Sequence, residues 1–201
     1  MDYSVTGSSG LQYRQSNRCG LSVPVRQLIT AVVGAIVCFG LAVLLHYAYD
    51  WSGERLPVAV FASVNESVWE HIKILLWPFL LWSIAEYYIL RPDPRRLLVG
   101  KTVGALAVAV MTICFFFVYS GILGRTVVWV DISSAFLWLL LGELVSLRVL
   151  NLPHNIEALY GVAAAVMTLI VVMLLCFTAS PPRIGLFADP ETGLYGLETT
   201  P

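Results

Sequence analysis

Residues 25–49 read VRQLITAVVGAIVCFGLAVLLHYAY, with Arg26 as the single charged residue before His46. At about 1.5 Å rise per residue, some 20 such residues cross the ~30 Å hydrocarbon core of a bilayer. The run is too long for the apolar core of a signal peptide, and no A-x-A cleavage site follows it. It reads as a retained anchor helix.

Working outward, four more apolar stretches have spanning length, at about 65–90, 97–119, 127–149 and 155–178. Breakers separate them: Arg91-Pro-Asp-Pro, Ser120-Gly-Ile-Leu-Gly and Asn151-Leu-Pro. The expected fold is an all-α integral membrane protein, a bundle of about five transmembrane helices. Composition agrees: 58% of the 201 residues are hydrophobic, 12% are charged, and mean hydropathy is +0.80. A soluble domain would lack the polar surface to cover that material. The organisation is a polar segment over 1–24 of the kind that stays disordered, a five-helix domain over 25–180, and an extracytoplasmic tail over 181–201 that packs on the outer face.

No basic domain is available for nucleic acid, so the lipid bilayer is the expected partner. The cysteines at 19, 38, 114 and 176 have no metal-binding spacing, and the last three read as small apolar residues. Basic residues prefer the cytoplasmic side of a membrane. Arg14, Arg18, Arg26, Arg91, Arg95, Arg96, Lys101 and Arg148 fall on one side, and Arg55, Lys73, Arg125 and Arg183 on the other. Eight against four places the N-terminus in the cytoplasm and the C-terminus outside.

Depth then follows from helix rise. With Arg26 at the inner boundary, His46 lies about 30 Å away at the outer one, and Asp50 shares its face at i,i+4. Asp131 stands about 25 Å above Arg148, near the same level. The second span begins with Glu66, Glu70, His71 and Lys73. Ionisable groups at membrane depth are costly and commonly pair or mark function. His46, Asp50, Glu66, Glu70, His71 and Asp131 are nitrogen and oxygen donors suited to Zn, Fe or Mn. His46, Asp50, Glu70, His71 and Asp131 are the candidate metal ligands, and Glu70, Glu66 and His71 the candidate catalytic groups. Blander readings stand beside these. Ser63-Val-Asn-Glu66 fits a helix-capping box, and Glu70 and Lys73 fit an i,i+3 pair at the interface. A thinner inner layer holds Glu86 and Glu143, expected to hydrogen-bond to Ser83, Ser146 or a Tyr, with a proton route joining the two layers as the sharper alternative. Pro78 should kink the second span between the layers.

Three blocks occur in order: His46-Tyr-Ala-Tyr-Asp-Trp-Ser-Gly53, Asn65-Glu-Ser-Val-Trp-Glu-His-Ile-Lys73, and Pro181-Pro182 with Asp189-Pro-Glu-Thr-Gly-Leu-Tyr-Gly196. In these the chain resembles a family of small, mainly bacterial membrane proteins carrying the domain of unknown function numbered 6512. The resemblance covers nearly everything beyond residue 24. It implies the same multi-helix fold and a motif at His46, Asp50, Ser52, Gly53, Asn65, Glu66, Trp69, Glu70, His71 and Lys73. It implies no activity. From the residues, the leading expectation is an interfacial, metal-dependent enzyme acting on a lipid or lipid-linked group at the extracytoplasmic side. The alternatives are an ion- or proton-coupled transporter or channel subunit, and an accessory subunit of a membrane complex.

Overall fold

A computed structural model describes residues 24–153 and 155–198. The expected properties of the segment before residue 24, with Arg14, Arg18 and Cys19, lie outside the described residues. Helix α1 runs Val25–Trp51, α2 Leu56–Ala59, α3 Val68–Leu90, α4 Pro94–Leu123, α5 Val128–Leu150 and α6 Tyr160–Ala179. A 3-10 turn over Ile156–Leu159 leads into α6. Five of these segments are long and apolar enough to cross a membrane, the fifth being the 3-10 turn joined to α6. The protein is an all-helical, multipass integral membrane protein.

The boundaries differ from the apolar pattern where capping decides them. Helix α3 begins at Val68 and not at residue 65, because Ser67 is its N-cap: its hydroxyl accepts from the Glu70 amide at 3.3 Å. The capping box expected at Ser63–Glu66 is therefore four residues too early, and Glu66 lies in the loop before the helix. Helix α4 starts at Pro94, where Asp93 Oδ1 accepts from the amides of Arg95 and Arg96 at 2.8 and 3.2 Å. It continues past the expected break at Ser120 and stops only at Gly124, whose φ of 65° suits a left-handed cap. Pro78 sits inside α3, where it withholds one backbone donor.

Helices α4 and α5 approach closely because glycine faces glycine. A methyl group on Gly104 would stand 2.7 Å from the Gly142 carbonyl oxygen, and one on Gly100 would stand 2.8 Å from that of Ser146. Small residues of this kind let backbones approach inside a membrane, where dispersion contacts replace the hydrophobic drive between helices. The main core gathers Cys38, Leu75, Phe79, Val108, Leu139 and Leu174 from all five long helices. Large apolar side chains such as Ile36, Leu81, Val110 and Leu169 are exposed around the bundle, as a lipid-facing surface requires.

Residues after α6 fold back on one end of the bundle. The Trp69 amide donates to Leu186 O at 3.1 Å, and Asn65 Nδ2 donates to Gly196 O at 3.1 Å. Phe187 is only 4% exposed, with its ring 5.0 Å from Trp69 and 5.2 Å from Phe177. Asp189 turns the chain by accepting from the amides of Glu191 and Thr192, and Gly193 takes φ 72°. Its other carboxylate oxygen accepts from the Glu66 amide at 3.3 Å. This end, where α1 finishes and α3 begins, is called the tail end below. Deleting residues 184–201 should expose the loop over 52–67 to protease and lower the thermal midpoint of the purified protein. An unchanged cleavage pattern and midpoint would show that these contacts contribute nothing.

Candidate functional site at the tail end

The motif over residues 65–73 divides its residues between two tasks. Asn65, Ser67, Trp69, Glu70 and Lys73 build the loop and fix the start of α3. Glu66 and His71 face the other way, into a cavity.

The structural half centres on a buried ion pair. Lys73 Nζ lies 2.6 Å from Glu70 Oε2, and both side chains are essentially sealed from solvent. The ammonium also donates to Ala59 O at 2.8 Å and Thr178 Oγ1 at 3.2 Å, so its three donors are all used. Glu70 Oε2 additionally accepts from the Val64 amide at 3.0 Å. The i,i+3 pair expected at the interface exists, but it is interior. It ties α3 to α2, to α6 and to the loop ahead of it.

The open half centres on Glu66. His46 Nε2 lies 3.5 Å from Glu66 Oε1, and His71 Nε2 lies 3.5 Å from Glu66 Oε2. The two imidazole rings are 5.5 Å apart. One donor atom from each of the three residues falls within 4.8 Å of the others, and this is the metal-compatible group of His, Cys, Asp or Glu among the described residues. His71 Nδ1 is 2.9 Å from the Ser67 carbonyl. A carbonyl only accepts, so Nδ1 carries the proton, and in the neutral ring Nε2 presents a lone pair. That lone pair faces a carboxylate. Either a proton on Nε2 or a metal ion between the two groups would satisfy both.

A metal held at about 2.0–2.2 Å by tetrahedral ligands sets its donor atoms roughly 3.4 Å apart. Each His–Glu separation is near that value, one to each oxygen of the carboxylate, and small rotations of partly exposed side chains would bring three donors around one ion. The Ser67 carbonyl on Nδ1 is the kind of outer partner that fixes a metal-binding histidine's orientation and tautomer.

These groups form the polar end of a cavity of about 250 Å³ between α1, α3, α4 and α5. Its other walls are mostly apolar, including Phe39, Ile74, Leu75, Phe115, Phe116 and Trp138. Asp131 lines it too, and Tyr119 donates a short hydrogen bond to Asp131 Oδ1. The tail contributes Pro190 and Glu191 to the rim.

Of the residues expected to act together, His46, Glu66, His71 and Asp131 share this cavity. Two do not. Asp50 is exposed near the end of α1 and lies outside the cavity lining, because its helix turns the i,i+4 position toward solvent. Glu70 is 1% exposed and committed to Lys73 and Val64, so it is neither a free ligand nor an available base. Glu66 was expected among the metal-suited donors and the catalytic groups but was left out of the candidate ligand set, whereas its carboxylate meets both histidines. Tyr119 was missed as well. Its signal was weak, a tyrosine near the end of an apolar run at a depth comparable to Asp131.

Residues 23–197 match a family described as "Family of unknown function (DUF6512)", and the chain belongs to that family. No curated protein and no solved structure matches the chain.

Proposed function

We propose that this member of a family without an assigned activity is a membrane-embedded, divalent-metal-dependent enzyme acting on a lipid or lipid-linked amphiphile. The observation that carries the reading is the convergence of two imidazole Nε2 atoms, each at 3.5 Å, on the one carboxylate of Glu66 at the polar end of an apolar cavity. His46, Glu66 and His71 would hold Zn, Fe or Mn. Three protein ligands would leave room for water or substrate, the pattern of catalytic and not structural zinc.

An ion bound there would supply an activated water and polarise a carbonyl or phosphoryl oxygen. Asp131, oriented by Tyr119, takes the role of general base that Glu70 cannot fill. The apolar walls seat part of an acyl or isoprenoid chain. At about 250 Å³ the cavity is smaller than the ~300–1,000 Å³ of whole-ligand pockets, which suits a head group with the first part of its chain. Water adds to the ester or phosphoester centre, and the leaving oxygen departs with the proton that Asp131 accepted.

Charge supports an extracytoplasmic position for this site. Lys73 and Lys101 are buried ion-pair members and drop out of the topology count. Seven basic residues then remain on the side of Arg26 and Arg148 and three on the side of the tail, which keeps the bias that sets orientation.

The test uses protein reconstituted in vesicles of total bacterial lipid extract and loaded with Zn or Mn, followed by mass spectrometry of the lipids. Wild type should generate a new lipid product over time. Asp131→Asn should keep its metal and lose the product. A metal-loaded wild type that leaves every lipid species unchanged would favour the competing reading, an ion-coupled transporter using the same ligands.

A further inference from the structure

Outside the lining of this cavity, three charged side chains meet inside the bundle: Glu86 on α3, Lys101 on α4 and Glu143 on α5. Lys101 Nζ lies 2.6 Å from Glu86 Oε2 and 2.6 Å from Glu143 Oε2. They are 3%, 1% and 0% exposed. The expected partners Ser83, Ser146 or a Tyr are not those the carboxylates take. Ser83 Oγ instead donates to Leu80 O.

One ammonium between two carboxylates leaves one negative charge without compensation. Inside a bundle of membrane-spanning helices an unpaired charge is among the most expensive groups to bury, and the ordinary escape is to take up a proton. The hydrogen bonding points the same way. Glu86 Oε2 and Glu143 Oε2 both lie at the ammonium, whereas Glu143 Oε1 is buried without a hydrogen-bond partner. What that oxygen lacks is a donor, and a proton on the acid pair supplies one. The groups facing the cluster offer no substitute. Lys101 sits over the Phe79 ring at 4.4 Å, and from α1 the buried Cys38 thiol feels all three charges. Neither adds a positive charge.

We infer that Glu86, Lys101 and Glu143 form an intramembrane proton-binding centre that holds one exchangeable proton on its carboxyl pair while Lys101 stays charged. None of its three residues lines the cavity at the tail end. It joins α3, α4 and α5 through a neutral cluster, and loss of the proton would place a net negative charge where those helices meet. A proton held there is available to any movement that changes how these helices pack.

Infrared spectroscopy of the reconstituted protein reads this directly. Wild type should show a carboxylic-acid C=O band that shifts in D2O. In Glu86→Gln and in Glu143→Gln the remaining glutamate and Lys101 form a one-to-one pair, so no proton is needed. Each variant removes one carboxyl, yet each should lose that band in full, so that wild type minus variant shows the whole band. Persistence of the band in either folded variant overturns the proposal. Absence of any D2O-sensitive acid band from wild type overturns it as well, whatever the variants do.

Discussion

Lys73→Met should be the most damaging single substitution in the chain. It strips Glu70 of its cationic partner and leaves a carboxylate 1% exposed, together with the Ala59 carbonyl and the Thr178 hydroxyl that the ammonium satisfied. Breaking one side of a buried pair typically costs about 3–5 kcal/mol, because the remaining charge is stranded. That is a large part of the ~5–15 kcal/mol that holds an ordinary domain together. Replacing both partners, as in Glu70→Leu with Lys73→Met, removes the stranded charge and should recover much of the loss. The measurement is the thermal midpoint and monodispersity of detergent-purified protein. A single variant as stable as wild type, or a double variant worse than the single one, would contradict the assigned role.

Glu66→Ala should have the opposite profile. Its side chain is 48% exposed and faces only the two histidines, while its backbone amide stays held by Asp189. Folding should be nearly unchanged, since substitutions at such sites usually fall within about 0.5 kcal/mol. Metal affinity should fall by more than the roughly 10–100-fold seen when an outer-shell partner is lost, because here a direct ligand disappears. The readout is titration with Zn or Mn by calorimetry alongside the thermal midpoint. Glu66 and Glu70 stand four residues apart in one motif, so the pair of variants separates binding from folding. If Glu66→Ala bound metal like wild type, Glu66 would not be a ligand.

The apolar runs made the five long helices legible, because each exceeds the thickness of a bilayer core and carries few charges. Boundaries were less legible. Ser63 and Ser67 both precede a glutamate by three residues, and nothing local says which one caps. The structure chooses Ser67, and that shift frees Glu66 for the histidines. The depth argument found His46, His71 and Asp131, since helix rise alone puts them at one level. It could not separate Glu70 from Glu66, because depth does not report which way a side chain points.

The buried lysines were the larger omission. Lys73 and Lys101 were counted among the basic residues that set orientation, with Lys73 paired to Glu70 only at the interface, yet each is 1% exposed or less and neutralises glutamate. The partners of Lys101 lie 15 residues before it and 42 after it on other helices, where no periodicity reaches. A lysine between Gly100 and Gly104 was the available hint. Small residues beside it mark a helix–helix contact and not a lipid-facing surface.

Metal content decides the central claim most directly. Protein purified without chelators and incubated with Zn, Fe or Mn should carry one ion per chain by elemental analysis. His46→Ala with His71→Ala should carry none while keeping its helical circular dichroism. Wild type that holds no ion after exposure to all three metals, or a double variant that retains the ion, would contradict the account.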